Sequence, residues 1–250
     1  MLSEERKAII LKKINEEKSV TVKKLKETLD FSESTIRRTI TELDKEGLIV
    51  RVYGGALSLE NESLIEEQSV EDKEILNVEE KHRIGRYAAS LIKAGDCVFL
   101  DAGTTTKCMI DYIDEKDVLY VTNGIVHAKE LVKRGMKVIL IGGELKENTE
   151  ALIGADAILH VQKYHYTKGF FGTNGINPKI GFSTPDVREA AVKRVAIGNT
   201  MKGHRYILAD HDKFGKSCAV TFSEFEGTVL ITDKCSDRIY YDVTDVKIVD

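Results

Sequence analysis

Four short polar segments in the second half of the sequence carry residues that can bind a small anionic ligand. Asp101-Ala102-Gly103-Thr104-Thr105-Thr106 supplies hydroxyls and backbone N–H groups, and Thr122-Asn123-Gly124 supplies similar groups. Gly142-Gly143-Glu144 allows close backbone approach, and Asp210-His211-Asp212-Lys213-Phe214-Gly215 adds carboxylates and a cation. Amide, hydroxyl and ammonium donors suit a phosphate group, and carboxylates accept hydrogen bonds from sugar hydroxyls. The combination favours a small anionic polyol, with these candidate contacts: Asp101, Gly103, Thr104, Thr105, Thr106, Thr122, Asn123, Gly142, Gly143, Asp210 and Lys213.

Each of the four segments follows a predicted strand. Apolar runs of strand length alternate with helical patterns of roughly 10–15 residues, which is typical of βαβ units and a mostly parallel sheet. The predicted strands are Cys97–Asp101, Val118–Thr122, Lys137–Ile141, Arg205–Ala209, Ser217–Phe222 and Thr228–Thr232. A helix is predicted over Glu79–Leu91, and another begins with Thr184 as N-cap and Pro185 at its first position. Because the carboxyl ends of parallel strands form one edge of a sheet, we expect the four polar segments there.

The same segments could instead be well-formed βα turns whose polar groups serve only the backbone. Two glycine motifs do not support a nucleotide site, because Gly142-Gly143 lacks the G-x-G-x-x-G pattern and Gly172-Thr173-Asn174-Gly175 lacks the lysine of a phosphate-binding loop. The four cysteines and six histidines have no metal-ligand spacing, and Ser217 and Cys218 have no base partner at motif spacing. We therefore expect no metal, no cofactor and no nucleophilic catalysis.

Residues 1–57 predict a second, smaller unit. Apolar residues recur near the helical period in three stretches: Ala8–Ile14, Val22–Leu29 and Ile36–Leu43. The third helix is expected to begin at Ser32 as N-cap and to stop at Gly47, and a β-prone run follows to Gly55. Two short helices around a tight turn, followed by a hairpin, are typical of a winged helix-turn-helix.

The third helix would then enter the major groove of DNA. Arginine can donate two hydrogen bonds to guanine or to a phosphate, and small hydroxyls let a helix approach base edges. The candidate DNA contacts are Ser34, Thr35, Arg37, Arg38 and Thr41 on this helix and Arg51 in the hairpin. Periodicity alone leaves a small helical protein-binding module open, but the predicted wing and the paired arginines favour DNA.

Charge is distributed unevenly along the 250 residues, whose net charge is −4. Residues 58–80 carry nine acidic residues and one lysine without a sustained apolar period, which is typical of a solvated linker. We therefore predict a DNA-binding domain at 1–57, an acidic linker at 58–78 and an α/β domain at 79–250. No apolar run approaches the ~20 residues of a membrane span, and Met1–Arg6 does not open a signal peptide, so we expect a cytoplasmic protein with no membrane partner.

The N-terminal residues resemble the DNA-binding region of DeoR-type bacterial repressors of sugar metabolism. This resemblance rests on Ser32–Ile40, Leu43, Gly47 and Arg51–Ala56. The later residues resemble the effector domain of the same family, which is itself similar to ribose-5-phosphate isomerase. The matching positions are Asp101–Thr105, Thr122-Asn123, Gly142-Gly143, Gly154, Phe170–Gly172, Gly175, Phe182–Asp186, Glu189-Ala190 and Asp210–Gly215. The series covers essentially the whole chain in the order of the family.

The resemblance implies a repressor that binds operator DNA as a homo-oligomer, a dimer or tetramer, and that a phosphorylated sugar releases or otherwise modulates. It implies that the main effector contacts are Asp101, Thr104, Thr105, Asn123 and Lys213. Lys213 would bind the phosphate, and Asp101 would accept hydrogen bonds from sugar hydroxyls. Gly142 and Gly143 would shape the floor of the site, and Lys193 would be a weaker second cation.

The sequence departs from the family pattern at three places. Thr39 and Thr167 stand where the family commonly has aspartate, and the linker lacks the arginine often seen before the effector domain. We expect Thr39 to alter DNA contacts, and Thr167 puts a carboxylate role at that position in doubt.

Two other functions remain open from the sequence. A sugar-phosphate isomerase-like enzyme with an appended DNA-binding domain could use Asp101, Asp210 or Asp212 as general base and Lys213 as electrophile. A scaffold protein could use the N-terminal helices for protein contacts. The order of motifs favours the regulator, which would not be an enzyme.

Overall fold

The computed structural model describes residues 3–17, 19–46, 48–52, 55–58 and 69–250. The chain forms two compact units, Met1–Glu66 and Glu67–Asp250. Gly47, predicted to end the third helix, and the predicted hairpin tip at Tyr53-Gly54 lie outside the described residues, as does the side chain of Arg51.

The N-terminal unit contains three helices and three short strands. In chain order these are α1 (Ser3–Glu17), β1 (Ser19–Thr21), α2 (Val22–Thr28), α3 (Glu33–Lys45), β2 (Ile49–Val52) and β3 (Gly55–Ser58). The strands form an antiparallel sheet in the order β1-β3-β2. The predicted three helices and hairpin are therefore confirmed, and β1 is an addition that the sequence did not indicate.

Local hydrogen bonds and an apolar core explain why these helices form. The Thr21 hydroxyl accepts a hydrogen bond from Lys24 N at 3.1 Å, and the Ser32 hydroxyl accepts one from Thr35 N at 3.2 Å, so both helices have side-chain N-caps. The core consists of Ile10, Ile14, Val20, Val22, Leu25, Ile36, Ile40, Leu43, Ile49 and Ala56. Gly55 lets β3 approach β1, because a Cβ there would lie 2.3 Å from the Val20 carbonyl oxygen.

The C-terminal unit is built on a seven-stranded parallel sheet, which confirms the predicted α/β class. Its strands are β4 (Cys97–Leu100), β5 (Leu119–Thr122), β6 (Lys137–Leu140), β9 (Lys168–Gly172), β12 (Arg205–Leu208), β14 (Thr228–Thr232) and β15 (Asp245–Ile248). Its helices are α4 (Val70–Glu74), α5 (Val78–Ser90), α6 (Thr104–Ile110), α7 (Ile125–Lys133), α8 (Ala155–Val161), α9 (Val187–Gly198) and α10 (Ile239–Val243). Among the described residues, no helix combines the length and apolar character that crossing a membrane requires.

Both faces of this sheet are buried. Along β4, Val98 and Leu100 belong to one apolar core and Phe99 belongs to the other, as expected for successive residues of a strand. The first core includes Ile84 of α5 and the second includes Ala190 of α9. Double burial explains why the strands are apolar runs rather than alternating sequences.

Two smaller β structures correct the predicted strand set. One is the antiparallel hairpin of β7 (Glu144–Lys146) and β8 (Ala151–Ile153), and the other is a sheet of β10 (Gly175–Asn177), β11 (Gly181–Thr184) and β13 (Val220–Ser223). The predicted strand Ser217–Phe222 corresponds to β13, so its assignment to the parallel sheet is wrong, and β9 and β15 of that sheet had no predicted counterpart. Thr184 belongs to β11, so the prediction that it is the N-cap of α9 is wrong. The cap is Asp186, whose carboxylate accepts hydrogen bonds from Arg188 N and Glu189 N. Asp186 is the stronger cap because one side chain satisfies two free N–H groups.

The described structure also corrects the predicted linker at 58–78. Ser58 ends β3, and α4, a turn at residues 75–77 and the first residue of α5 lie inside the C-terminal unit. The Ser69 hydroxyl caps α4 by accepting a hydrogen bond from Asp72 N at 3.1 Å. Glu71 and Asp72 lie in the first turn of that helix, where negative charge is favourable. Some of the acidic residues that suggested a solvated linker therefore belong to the first turn of a helix.

The order of the strands identifies where the parallel sheet offers a ligand site. The sheet runs β15-β14-β12-β9-β4-β5-β6, so the chain builds outward from β4 through β5 to β6 and then returns to β9 on the other side. Open parallel sheets bind ligands at the carboxyl ends of the strands beside such a reversal. In this sheet the reversal lies between β4 and β9.

Candidate functional site

The exposed side of α3 carries two arginines. The side chains of Arg37 and Arg38 are 59% and 65% exposed, and each pairs with a glutamate of the same helix, Glu33 at 2.7 Å and Glu42 at 3.6 Å. Exposed pairs of this kind are weak, so both guanidinium groups can exchange a glutamate for a phosphate or a base. Their DNA-binding role stays a prediction.

The predicted hydroxyl contacts lie on the same helix, but their hydrogen bonds are local. Ser34 Oγ and Thr35 Oγ1 each lie within hydrogen-bond distance of Ser32 Oγ, at 3.0 and 2.8 Å. Thr41 Oγ1 donates to Arg37 O at 2.9 Å. Thr39 is buried, so the expectation that it alters DNA contacts is not supported by its position. Arg51 lies in β2 opposite Ala56.

A polar cavity of about 120 Å³ opens at the carboxyl ends of β4, β9 and β12. Ala102–Thr105 follows β4, Gly172–Asn174 follows β9, and Asp210, Asp212 and Lys213 follow β12. Residues of α4 and α5 form a further wall. The cavity therefore lies beside the reversal between β4 and β9.

Five lysines and three carboxylates line this cavity. The lysines are Lys73, Lys81, Lys193, Lys213 and Lys216, and the carboxylates are those of Glu189, Asp210 and Asp212. Within the part of the chain that the structure describes, the ammonium groups of Lys213 and Lys216 have no hydrogen-bond or ion-pair partner. The excess of cations, two of them without a partner, suits an anion.

Asp101 and Lys193 form a buried ion pair behind the cavity wall. Asp101 Oδ2 accepts hydrogen bonds from Lys193 Nζ and from Gly172 N, the latter at 3.0 Å, and Lys193 Nζ also donates to Gly172 O at 3.1 Å. Burial raises the pKa of Asp101, and the Lys193 ammonium acts in the opposite direction. Asp101 Oδ1 is buried, with no hydrogen-bond partner among the residues that the structure describes. The aspartate therefore ties β4 to β9 and α9, and the structure places its side chain outside the cavity lining.

Glu189 supplies the carboxylate that faces the cavity from α9. Its Oε1 accepts hydrogen bonds from Thr149 Oγ1 at 2.6 Å and Lys146 Nζ at 3.2 Å. Burial opposes ionisation of Glu189, but Lys193, Thr149 and Lys146 together lower its pKa. The cavity therefore contains an ionised acceptor close to its cations, as the binding of sugar hydroxyls requires.

A buried network holds Gly103 and the first turn of α6, Thr104–Thr106. Thr106 Oγ1 bonds with the carbonyls of Asp101 and Gly103, at 2.6 and 2.9 Å, and lies 3.0 Å from His127 Nε2. Burial lowers the pKa of His127 to about 4, so its imidazole is neutral at pH 7. Gly103, Thr104 and Thr105 line the cavity, whereas Thr106 serves the turn.

Four other predicted effector contacts lie away from the cavity. Thr122 Oγ1 accepts from Gly124 N at 3.1 Å, and Asn123 Oδ1 accepts from Ala102 N at 2.7 Å, so both side chains complete βα turns. Gly142 and Gly143 follow β6, two strands from β4. At Gly143, where φ is +140°, a Cβ would lie 2.6 Å from Ile153 O, so this glycine allows close approach of β8 rather than of a ligand.

The cavity also contains residues that the sequence did not indicate. Lys81, Thr149 and Gly172–Asn174 line it. Lys193, expected as a weaker second cation, also lines it and is buried. No strand was predicted before Gly172–Asn174, so this segment had no predicted position in the sheet. The departure at Thr167 lies at the amino end of β9, where its hydroxyl donates to Asp96 Oδ1 at 2.7 Å. The cavity lies at the opposite end of that strand, so the missing aspartate does not affect it.

The two units together define a class of protein. A helix-turn-helix unit with exposed arginines, followed by an α/β unit with a cation-rich cavity, is the organisation of a transcriptional regulator with its own sensor domain. Two family profiles match the chain: a DeoR-like helix-turn-helix domain over residues 6–62 and a DeoR C terminal sensor domain over residues 76–234. The chain belongs to the DeoR family of DNA-binding transcriptional regulators.

Known proteins similar to this chain include two regulators. It is 39% identical over 256 residues to the uncharacterized HTH-type transcriptional regulator FruR of Bacillus subtilis (strain 168), covering 100% of this chain and 99% of that protein. It is 34% identical over 241 residues to the lactose phosphotransferase system repressor of Streptococcus mutans serotype c (strain ATCC 700610 / UA159), covering 95% and 94%. A ribose 5-phosphate isomerase A structure from Neisseria gonorrhoeae overlaps 55% of this chain and 53% of its own at 10% identity and a TM-score of 0.40. An overlap of this size does not bear on fold or activity.

Proposed function

We propose that this regulator represses genes of sugar metabolism and that a phosphorylated sugar, bound in the cavity, releases it from operator DNA. The observation that carries the proposal is that one cavity contains the ionised carboxylate of Glu189 and the ammonium groups of Lys213 and Lys216, which have no partner among the described residues. The lysines would bind the phosphate, and the carboxylate would accept hydrogen bonds from sugar hydroxyls. Gly103, Thr104 and Thr105 would add backbone and hydroxyl donors.

The relatives support this assignment through their names. One is called a lactose phosphotransferase system repressor, a name that connects that protein with a sugar. For this chain we propose operator DNA as the macromolecular partner and a homo-oligomer as the binding form, because helix-turn-helix proteins bind paired half-sites as dimers. We propose that it acts in the cytoplasm without a metal or cofactor.

We infer that the cavity binds its ligand without transforming it. The carboxylates that could serve as general base are already engaged: Asp101 bonds with Lys193, Asp210 Oδ1 accepts from Asp212 N at 3.1 Å, and Asp212 Oδ2 accepts from Asn77 Nδ2 at 2.8 Å. A sensor needs differential binding between two states and no chemistry. Incubation with each sugar phosphate and analysis for isomerised product tests this inference, and turnover would overturn it.

Thermal unfolding in the presence of sugar phosphates tests the ligand class. The panel contains glucose 6-phosphate, fructose 1-phosphate, fructose 6-phosphate and ribose 5-phosphate, with each unphosphorylated sugar and inorganic phosphate as controls. A ligand at 100 times its Kd adds about 2.7 kcal/mol to the free energy of unfolding, which gives a clear shift in Tm. The proposal expects a phosphorylated member to stabilise the protein far more than its parent sugar. Equal shifts for the two would contradict it.

Operator release needs a second measurement. DNA duplexes selected by the protein from a random pool supply the binding site, and titrations with and without the stabilising sugar phosphate give the coupling between the two ligands. Binding to DNA should weaken steeply as salt rises, because lysines and arginines displace phosphate counterions. Salt-insensitive binding, or no effect of any panel member on DNA affinity, would contradict the proposal.

A further inference from the structure

Lys81 is a buried lysine whose role the proposed ligand site does not explain. It lies in α5, its side chain is 3% exposed, and it lines the cavity. Within the described residues it has no carboxylate at ion-pair distance. Burial lowers the pKa of Lys81, and the carboxylates of Asp210 and Glu74 act in the opposite direction. A desolvated ammonium without an ion-pair partner is costly, so its remaining contacts must be specific.

The contacts of Lys81 are with the main chain of the preceding segment. Its Nζ donates to the carbonyl oxygen of Lys73 and, at 2.6 Å, to that of Leu76. An ammonium has three donors, and no other partner of this group occurs in the described part of the chain. Because Lys81 lines the cavity, an anion bound there can accept the third hydrogen bond. Lys81 can hold the preceding segment and an anion at the same time.

We call residues 69–77 the cavity strap, because they form one wall and contact three separate parts of the unit. Val70 N donates to Asn148 O at 3.2 Å, and Glu74 pairs with Lys107 of α6 at 2.6 Å. At the far end, Asn77 Nδ2 donates to Asp212 Oδ2 at 2.8 Å. The strap side chains that line the cavity are Val70, Lys73, Leu76 and Asn77.

The cavity strap is also the part of the C-terminal unit that lies nearest in sequence to the N-terminal unit. Residues 59–68 join the strap directly to β3 of the N-terminal unit, so this is the covalent route between cavity and DNA-binding helix. A change in how firmly the strap is held is therefore a change close to the point where the chain enters the C-terminal unit.

We propose that Lys81 is a positioning residue that holds the cavity strap in place and thereby couples an anion in the cavity to the chain that leads to the DNA-binding unit. This inference rests on the proposed function. An anion at the third donor stabilises the charged ammonium, which strengthens its hydrogen bonds to the strap carbonyls. Ligand and strap therefore favour each other, and by linkage a loosened strap weakens ligand binding.

Hydrogen–deuterium exchange on the full chain tests the positioning role without any ligand. Lys81→Met keeps a side chain of similar length and removes the donors, and since a desolvated charge disappears we expect the variant to fold. Amides of residues 70–77 should exchange at least about tenfold faster than in the wild type, while amides of β4 and β9 keep their rates. Lys107→Met, which breaks the exposed pair with Glu74, is the matched control and should change strap exchange much less.

Two results would overturn the positioning role. One is unchanged strap exchange in Lys81→Met, and the other is acceleration that extends equally to β4 and β9. Should Lys81→Met fail to fold, Asn77→Gly gives the same test at the other end of the strap. Glycine accepts the φ of 48° at this position and removes only the side-chain hydrogen bond to Asp212. Strap exchange must then rise, and an unchanged rate would overturn the proposal.

The coupling is tested with inorganic phosphate as probe, against chloride at matched ionic strength. Phosphate should slow strap exchange in the wild type and in Lys107→Met, and should have no effect on it in Lys81→Met. Slowing of equal size in Lys81→Met would overturn the coupling. If phosphate and every panel sugar phosphate leave wild-type strap exchange unchanged while Lys81→Met still accelerates it, the coupling has failed; the proposed function has failed as well if none of them raises the Tm of the wild type or weakens its DNA binding. That pattern differs from failure of the positioning role alone.

Discussion

Removal of the charge on Asp101 should destabilise the C-terminal unit strongly, although the sequence presents this residue as a ligand contact. Asp101 is 1% exposed and Lys193 is 5% exposed. Asp101→Asn keeps an oxygen acceptor for Gly172 N and removes the negative charge facing the Lys193 ammonium. The lysine then has neutral oxygens as its hydrogen-bond acceptors at this position, the amide of residue 101 and the Gly172 carbonyl, and no carboxylate bonded to it there. Leaving one charge of a buried pair unpaired lowers the free energy of unfolding by about 3–5 kcal/mol.

A double-mutant cycle separates the charge pair from the packing around it. Lys193→Met should also cost about 3–5 kcal/mol, since it leaves the Asp101 carboxylate buried. The double variant should be less destabilised than the sum of the two, because it contains no unpaired buried charge. Hydrogen exchange of β4 and β9 amides in urea reports the C-terminal unit alone.

Additive effects in this cycle would refute the reasoning, because they would mean that the two groups do not interact. Lys202→Met is the matched control, since Lys202 pairs with Glu226 at 2.8 Å on the exposed surface. It should leave the exchange rates of β4 and β9 unchanged. A control as destabilising as Asp101→Asn would show that the effect comes from losing any ion pair rather than a buried one.

Four further outcomes are expected. Lys213→Met should weaken binding of the stabilising sugar phosphate by about 10- to 150-fold in a calorimetric titration, since one charge-assisted hydrogen bond is lost; an unchanged Kd would contradict the phosphate assignment. Arg37→Ala or Arg38→Ala should cost about 1–3 kcal/mol of operator binding if that residue contacts a base, and two variants that both bind like the wild type would exclude α3 as the recognition helix. Native His127 has a pKa of about 4, whereas the same side chain in the unfolded protein binds a proton near pH 6.5. The free energy of unfolding should therefore fall by about 3 kcal/mol as the pH is lowered from 6.5 to 4, and His127→Gln should make the free energy of unfolding depend less on pH in that range. A fragment of residues 67–250 should keep ligand binding that a fragment of 79–250 loses, and equal binding by both would contradict a role for the cavity strap.

Elements whose residues are close in sequence could be predicted. Helix α3 follows from Ile36, Ile40 and Leu43 on one face and Ser32 as cap, all within a dozen or so residues. The parallel sheet follows from the alternation of apolar runs and helical patterns. Lys213 and Gly103–Thr105 could be placed in the site because each follows a strand by a few residues. Local pattern is sufficient for such features because the physical causes are themselves local.

The composition of the site could not be predicted, because it depends on which strands become neighbours. Polar residues follow β5 just as they follow β4, yet Thr122 and Asn123 complete turns and Gly103 lines the cavity. Gly103 reaches the cavity because β4 lies next to β9, and β9 lies next to β12. This strand order could not be predicted from the sequence pattern. No feature of the sequence indicated that Lys81 lines the cavity, because a lysine in an amphipathic helix is ordinarily solvated.

The hold of Lys81 on main-chain carbonyls has a consequence for how this site can diversify. A hydrogen bond to a carbonyl oxygen does not depend on which side chain the accepting residue carries. Substitutions at Lys73 and Leu76 therefore alter the wall that a ligand touches while the anchoring of that wall persists. The side chains of these residues therefore contact the ligand, whereas their main-chain oxygens hold the strap. Substitutions that change which ligand binds can accumulate at these positions while the hydrogen bonds from Lys81 remain.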